Sequence, residues 1–181
     1  MAGNLTSDEC ARLTDWLTDQ AGAAVRILAT ERLSGGAIQE NHRLEIDVTG
    51  GAWPGRHDLV LRRDAASAVA TSHSRAEEFA LLKAAHTAGV TVPAPCVLCE
   101  DESLLGGPFF LMHCVAGEAR GGRLVKNAPD AALVRDLGAN LAHIHSITPP
   151  RNGLGFLGTP PTDPARAAVA EYRAFLDALP D

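Results

Sequence analysis

The 181-residue chain carries 16 Lys and Arg against 22 Asp and Glu, a formal charge of −6, with 46% hydrophobic and 21% charged residues. That balance describes a globular chain with a buried core over one domain or a domain and a half; it excludes a disordered chain and a broad nucleic-acid-binding face. The N-terminus MAGNLTSDEC lacks a basic n-region and an apolar h-region, and no apolar run reaches spanning length. No secretory signal or membrane segment is therefore expected, and the cytoplasm is the default location.

Thr6 and Glu9 have the spacing of a capping box. Leu13, Trp16, Leu17 and Gln20 follow at helical intervals up to Gly22, which predicts a packing helix. Val25, Ile27 and Ala29 alternate as a strand, and Leu44, Ile46 and Val48 alternate with Arg43, Glu45 and Asp47 as a second. Between them Ser34, Gly35 and Gly36 supply a turn where positive φ carries no Cβ penalty. The stretch TGGAWPGRHD reads as a loop, and Leu59, Val60 and Leu61 form a third strand ending on Arg62 and Arg63. Glycines at a hairpin tip beside a cation on the next strand can hold an anion such as a nucleotide phosphate; an ordinary hairpin with solvated arginines fits the same residues.

A small-residue stretch, DAASAVATSHS, precedes a helix expected from Ser72 or Ser74 to about His86, ending before Gly89. Phe79, Leu82 and Ala85 share one face of it, with Leu81 near the edge and Glu77 and Glu78 inside the pattern. Pro93 and Pro95 lead into the short strand PCVLCE; DESLLGG is a turn-rich link and PFFLMHCV a buried strand. From Gly117 the chain turns polar, then helical from Pro129, with Leu133, Leu137, Leu141 and Ile144 as an amphipathic stripe ended by Pro149 and Pro150. Asp163-Pro164 caps a last helix carrying Val169, Tyr172, Phe175, Leu176 and Leu179. The strand-rich part gives way to helices near residue 116.

The four cysteines, Cys10, Cys96, Cys99 and Cys114, do not make a disulfide scaffold. Cys96 and Cys99 form a CxxC, but on a strand a separation of three sends side chains to opposite faces. Buried free thiols, with neither zinc nor a bridge between them, are expected.

Taken together, LSGGAIQENHRLEI, LVLRR, SRAEEFALLKAA, VPAPCVLCEDESLLGGPFFLMHCVAGE and LGANLAHIHSI, in that order, resemble the aminoglycoside phosphotransferase (APH) family. The resemblance implies an α+β fold: a protein-kinase-like N-lobe of about five mostly antiparallel strands plus a helix in residues 1–115, then linker and first helices of a helical C-lobe in residues 116–181. It implies ATP-dependent phosphoryl transfer to a small-molecule hydroxyl, with ATP and Mg²⁺, and no nucleic-acid or membrane partner. By resemblance, residues 34–41, with Ser34, Gly35, Gly36, Ala37 and Asn41, cover the phosphates. Arg62 stands where the family has a phosphate-binding lysine, and its fork is bulkier and differently directed than an ammonium. Glu78, with Glu77 as the alternative, orients that cation, and backbone groups of His113 and Val115 meet the adenine edge. The family's His-Gly-Asp loop and metal-binding Asp have no counterpart in the 181 residues, so Mg²⁺ ligands are expected beyond residue 181, and this chain alone is expected to be inactive. The other reading is a non-catalytic nucleotide- or partner-binding module. Val169, Phe175 and Leu176 are expected to leave an apolar face open to self-association.

Overall fold

A reciprocal capping box starts the first helix, α1 (Ser7–Ala21): the Thr6 hydroxyl accepts from Glu9 N–H while the Glu9 carboxylate accepts from Thr6 N–H at 2.8 Å. Gly22, at φ 64°, ends it in the left-handed conformation that glycine adopts without strain. The structure is a computed structural model that describes residues 4–33, 39–65, 73–117, 121–124, 126, 131–148 and 151–178. It divides into two compact units, Met1–Ile147 and Thr148–Asp181.

In the first unit α1 is followed by β1 (Val25–Arg32), β2 (Gln39–Val48), β3 (Gly55–Asp64), α2 (Arg75–Thr87), β4 (Pro95–Cys99), α3 (Glu102–Leu105), β5 (Phe109–His113), α4 (Gly121–Leu124) and α5 (Ala131–His145). The strands form one antiparallel sheet in the order β1-β2-β3-β5-β4, as the α+β expectation required. The predicted loop over residues 49–58 turns into strand at Gly55. Arg56, His57 and Asp58 pair with Asp47, Ile46 and Glu45 of β2, because a partner strand supplies the bonds that local propensity does not. The turn-rich link after β4 likewise holds a helical turn, α3, capped by Asp101.

One face of the sheet packs on α1. Leu13 and Leu17 of the helix and Leu44, Leu61, Phe109 and Leu111 of the sheet are fully buried, and Trp16 meets Phe109 edge to face at 5.3 Å. Each such aliphatic or aromatic side chain contributes roughly 1.5–3 kcal/mol on burial. Gly51 locks the β2–β3 connection onto this helix: a Cβ there would stand 1.9 Å from Ala21 O, which accepts from Ala52 N–H.

The expectation that Cys96 and Cys99 face opposite ways does not hold. A register shift between Pro95 and Val97 interrupts the alternation, and Cys96 packs against the same core in which Cys99 is buried. Both are free, and burial pushes both thiols up, Cys96 to about 11.

Charges cross this face at its far end. Arg63 donates to Glu9 at 2.7 Å and to Glu40 at 3.1 Å, and Arg32 reaches Glu40 at 3.5 Å. Burial alone would raise Glu9, but hydrogen bonds from Thr6 and Arg63 and the Arg63 charge override it and hold Glu9 down at about 2. His42, fully buried with neither ring nitrogen hydrogen-bonded among the described residues, is pushed down by burial and by Arg63 and Arg32, against Glu40 at 3.8 Å. Both groups act in the same direction. The unfolded chain takes up protons first, so His42 removes stability as pH falls below 6.5 and Glu9 as pH falls from 4.5 towards about 2. Urea titrations across pH should show both windows; Glu9→Gln should flatten the lower one by about 3 kcal/mol and His42→Leu the upper one. An unchanged pH profile in either variant would remove that group from the account.

α5 hangs on this unit through polar contacts. Asn140 Oδ1 accepts from Thr91 N–H at 2.7 Å, and His143 Nδ1 donates to Gly89 O at 2.8 Å. Pro129, expected as its first residue, lies outside the described residues. The stripe Leu133, Leu137, Leu141 and Ile144 is exposed.

The second unit holds a 3-10 turn (Gly155–Leu157) and α6 (Pro164–Asp177), whose N-terminus Asp163 caps by accepting from Arg166 N–H at 3.0 Å. Val169, Tyr172, Phe175 and Leu176 are exposed. Leu179 lies outside the described residues. Among the described residues no helix is long and apolar enough to cross a membrane.

Candidate functional site

Strand alternation puts Asn41, Arg43 and Glu45 of β2, Asp58, Val60 and Arg62 of β3, and Phe110 and Met112 of β5 on the sheet face away from α1. α2 covers the β4–β5 side of that face, with Phe79 against Phe110 at 5.6 Å between ring centroids. The α2 N-terminus is a second reciprocal capping box, Ser74 with Glu77, and it decides between the two candidate acids. Glu77 accepts from Ser74 N–H at 2.9 Å and is held below its ordinary range by that backbone bond and the Ser74 hydroxyl. Glu78, one residue on, turns to β3 and places Oε1 at 2.8 Å from Arg62 Nη2.

Arg62 is three-quarters buried and also donates through Nη2 to Gln39 Oε1. Its Nε–H has no hydrogen-bond partner among the described residues, nor has Oδ1 of Asn41, which sits directly opposite across the β2–β3 ladder. A buried guanidinium donor left without an acceptor costs roughly 1–3 kcal/mol. It is the feature an anion would relieve.

Two residues along β2 and four along β3, Arg43 grips Asp58 diagonally with both fork nitrogens, at 2.8 and 2.7 Å. The guanidinium holds the Asp58 carboxyl low, and the carboxylate keeps Arg43 high. Asp58 O accepts from Cys114 N–H at 2.8 Å, so this pair is joined to the segment leaving β5. His113 N–H is engaged by Ala94 O at 2.9 Å, while Val115 is exposed and its N–H takes no partner among the described residues. Burial and Asp58 push the Cys114 thiol up.

Of the residues singled out from the sequence, the structure brings Asn41, Arg62 and Glu78 together on this sheet face. His113 pairs with Leu59, so its side chain belongs to the opposite face, and Val115 follows two residues after the end of β5. Ser34, Gly35, Gly36 and Ala37 lie outside the described residues; the neck of their hairpin is closed by Leu33 N–H donating to Asn41 O at 2.8 Å. Gln39, Arg75 and the Arg43–Asp58 pair were not foreseen. Gln39 was within reach, since strand period places it on the face of Asn41.

The unpartnered Arg62 Nε–H is a donor that a phosphate oxygen can take up; the unpartnered Asn41 Oδ1 is an acceptor and adds no donor to it. The site does not make a metal centre, because the described residues include no group of three or more His, Cys, Asp or Glu able to hold one.

Residues 29–181 match the model of the phosphotransferase enzyme family, APH. A crystal structure described as an aminoglycoside phosphotransferase of Ralstonia eutropha JMP134 aligns with a TM-score of 0.62 at 21% identity, covering 94% of this chain and 48% of that one. The GDP and kanamycin complex of APH(2″)-IIIa aligns with a TM-score of 0.49 at 21% identity, covering 92% of this chain and 52% of that one. A 60-residue stretch is 43% identical to acyl-CoA dehydrogenase family member 10 of Mus musculus, covering 33% of this chain and 6% of the mouse protein. The chain spans about half the length of the solved structures it matches, and the likeness to the first of them is one of fold.

Proposed function

Because the chain belongs to the phosphotransferase enzyme family APH, we propose that residues 1–115 bind ATP in the groove between Arg62 and Val115, as the nucleotide-binding portion of an ATP-dependent phosphotransferase acting on a small-molecule hydroxyl. The observation that carries the reading is the buried Arg62 Nε–H without an acceptor, on a cation oriented by Glu78 at 2.8 Å. A phosphate oxygen completes that donor and gains a charge-assisted bond. The purine edge lies towards Val115, whose N–H is uncommitted, with Val60 and Met112 as apolar floor. Residues 34–41 cover the phosphates in this reading, and residues 116–181 hold the linker and first helices of the helical lobe. ATP arrives with Mg²⁺ and supplies the transferable phosphoryl group; the described residues offer no ligand set for the ion, and none of their roles depends on it.

The reading assigns no proton acceptor to these 181 residues, whose sequence contains no His-Gly-Asp triplet. A second reading is a non-catalytic nucleotide- or partner-binding module. Calorimetry with ATP and Mg²⁺ tests nucleotide binding, and phosphotransfer across a panel of hydroxyl acceptors separates the two readings. Arg62→Ala should weaken ATP binding roughly ten- to a hundredfold, the loss of a charged hydrogen bond of ~1.5–3 kcal/mol. Equal affinity for ATP in both proteins would sink the nucleotide reading. We further expect the 181-residue chain to self-associate through the exposed side chains of α5 and α6, which light scattering reads directly.

A further inference from the structure

Arg75 is only 2% exposed, a rare condition for a guanidinium unless it is paired. It is the first residue of α2, one turn before Glu78, so the two share a helix face. Its fork spans three segments. Nη1 donates to Glu78 Oε2, Nη2 donates to His73 O at 3.1 Å, and Nε lies 3.1 Å from Asp64 Oδ1 at the end of β3, off the hydrogen-bonding line. The two oxygens of Glu78 are thereby divided, Oε2 to Arg75 and Oε1 to Arg62.

A glutamate with only one of these partners keeps its χ rotations, and with them a range of directions in which it can pull Arg62. Fixed at both oxygens, it has one. We infer that Arg75 is a positioning residue for the nucleotide groove: by pinning Glu78 Oε2 to the end of β3 it turns Oε1 onto Arg62, and so sets the direction in which Arg62 offers its Nε–H. Its functional meaning rests on the nucleotide reading above, whereas its geometry rests on the contacts just given. The chemistry requires an arginine, because an ammonium is a point charge that cannot reach a carboxylate on its own helix, a carbonyl before it and a carboxylate on β3 together.

Arg75→Lys keeps the charge and removes the fork, which separates positioning from electrostatics. In the full chain it should weaken ATP binding about five- to tenfold, and in a Glu78→Gln background by less than about twofold, since coupled residues are non-additive. Equal losses in both backgrounds, or none in either, overturn the inference. A nucleotide-free arm reads the geometry directly: solvent exchange of the Arg62 Nε–H by NMR should be about tenfold faster in Arg75→Lys than in the parent, as expected when local opening becomes easier. Unchanged exchange overturns the positioning role whether or not ATP binds. If the parent binds no ATP while Arg75→Lys accelerates exchange, the nucleotide reading fails and the positioning of Arg62 stands. Should Arg75→Lys not fold, Asp64→Asn loosens the same anchor from β3 without touching Glu78 and should move both readouts in the same direction; an Asp64→Asn protein matching the parent in both overturns the inference.

Discussion

Glu78→Ala is expected to lower the unfolding free energy by about 3 kcal/mol, within the range for removing one partner of a buried pair. Two guanidiniums meet on this carboxylate, one of them 2% exposed and the other three-quarters buried. Without it, among the described residues Arg62 keeps Gln39, and Arg75 keeps Asp64 and the His73 carbonyl. Both cations are then under-compensated within the same small volume. Urea unfolding at neutral pH measures the loss, and the same protein should bind ATP at least about tenfold more weakly because Arg62 is no longer oriented. Glu78→Gln should recover part of the stability, since an amide oxygen still accepts although the charge is gone. A Glu78→Ala protein as stable as its parent would mean that solvent reaches both arginines and that the cluster is not the joint between α2 and β3.

Phe109→Ala should be the more damaging change, about 4 kcal/mol, because it removes a large side chain from a site that cannot collapse. Phe109 has no exposure, sits in the β3–β5–β4 ladder opposite Arg63 and Cys99, and receives the edge of Trp16 from α1. The aromatic contact alone is worth about 1 kcal/mol beyond its area. Denaturant titration followed by Trp fluorescence reads both the loss and the change around Trp16. Leu137→Ala is the control: the helix-stripe leucine is 61% exposed, and its removal should cost well under 1 kcal/mol. Similar losses for the two would contradict the placement of the core on the α1 face.

What the sequence displayed well was local. The Thr6 and Glu9 capping box, the Gly22 stop, the alternation of Leu44, Ile46 and Val48 and the apolar run of β5 each depend on neighbours within a few residues, and each has its expected place. The meeting of Arg62 with Glu78 was legible only through the family resemblance, which sets a strand-end cation beside an acid of the next helix. What was hidden depends on distant partners. Arg56 to Asp58 look like loop until β2 pairs with them, and the register shift that turns Cys96 towards the core has no local mark. Arg63 and Glu9 are separated by 54 residues and meet only because α1 crosses the sheet at that point. Arg75 carried a weaker signal, its three-residue spacing from Glu78, but that spacing also describes many solvated pairs. Burial is what distinguishes it, and burial is a tertiary property.

The sheet has two rims, β1 and β4, and each is built against the addition of a further strand. On β1 the register breaks between Ile27 and Ala29, Arg26, Glu31 and Arg32 place charges along the strand, and Asn4 Nδ2 already donates to Thr30 O at 2.8 Å. On β4, Pro95 offers no amide hydrogen at all, and the shift before Val97 bends the ladder just where a neighbour would dock. An edge so interrupted is a poor template for amyloid-like growth, since cross-strand pairing needs a straight run of free donors and acceptors. The rims therefore protect the protein while it is folded, and the protection is asymmetric. Proline on β4 keeps its effect in the unfolded chain, whereas the Asn4 clasp on β1 vanishes as soon as the segment before α1 detaches.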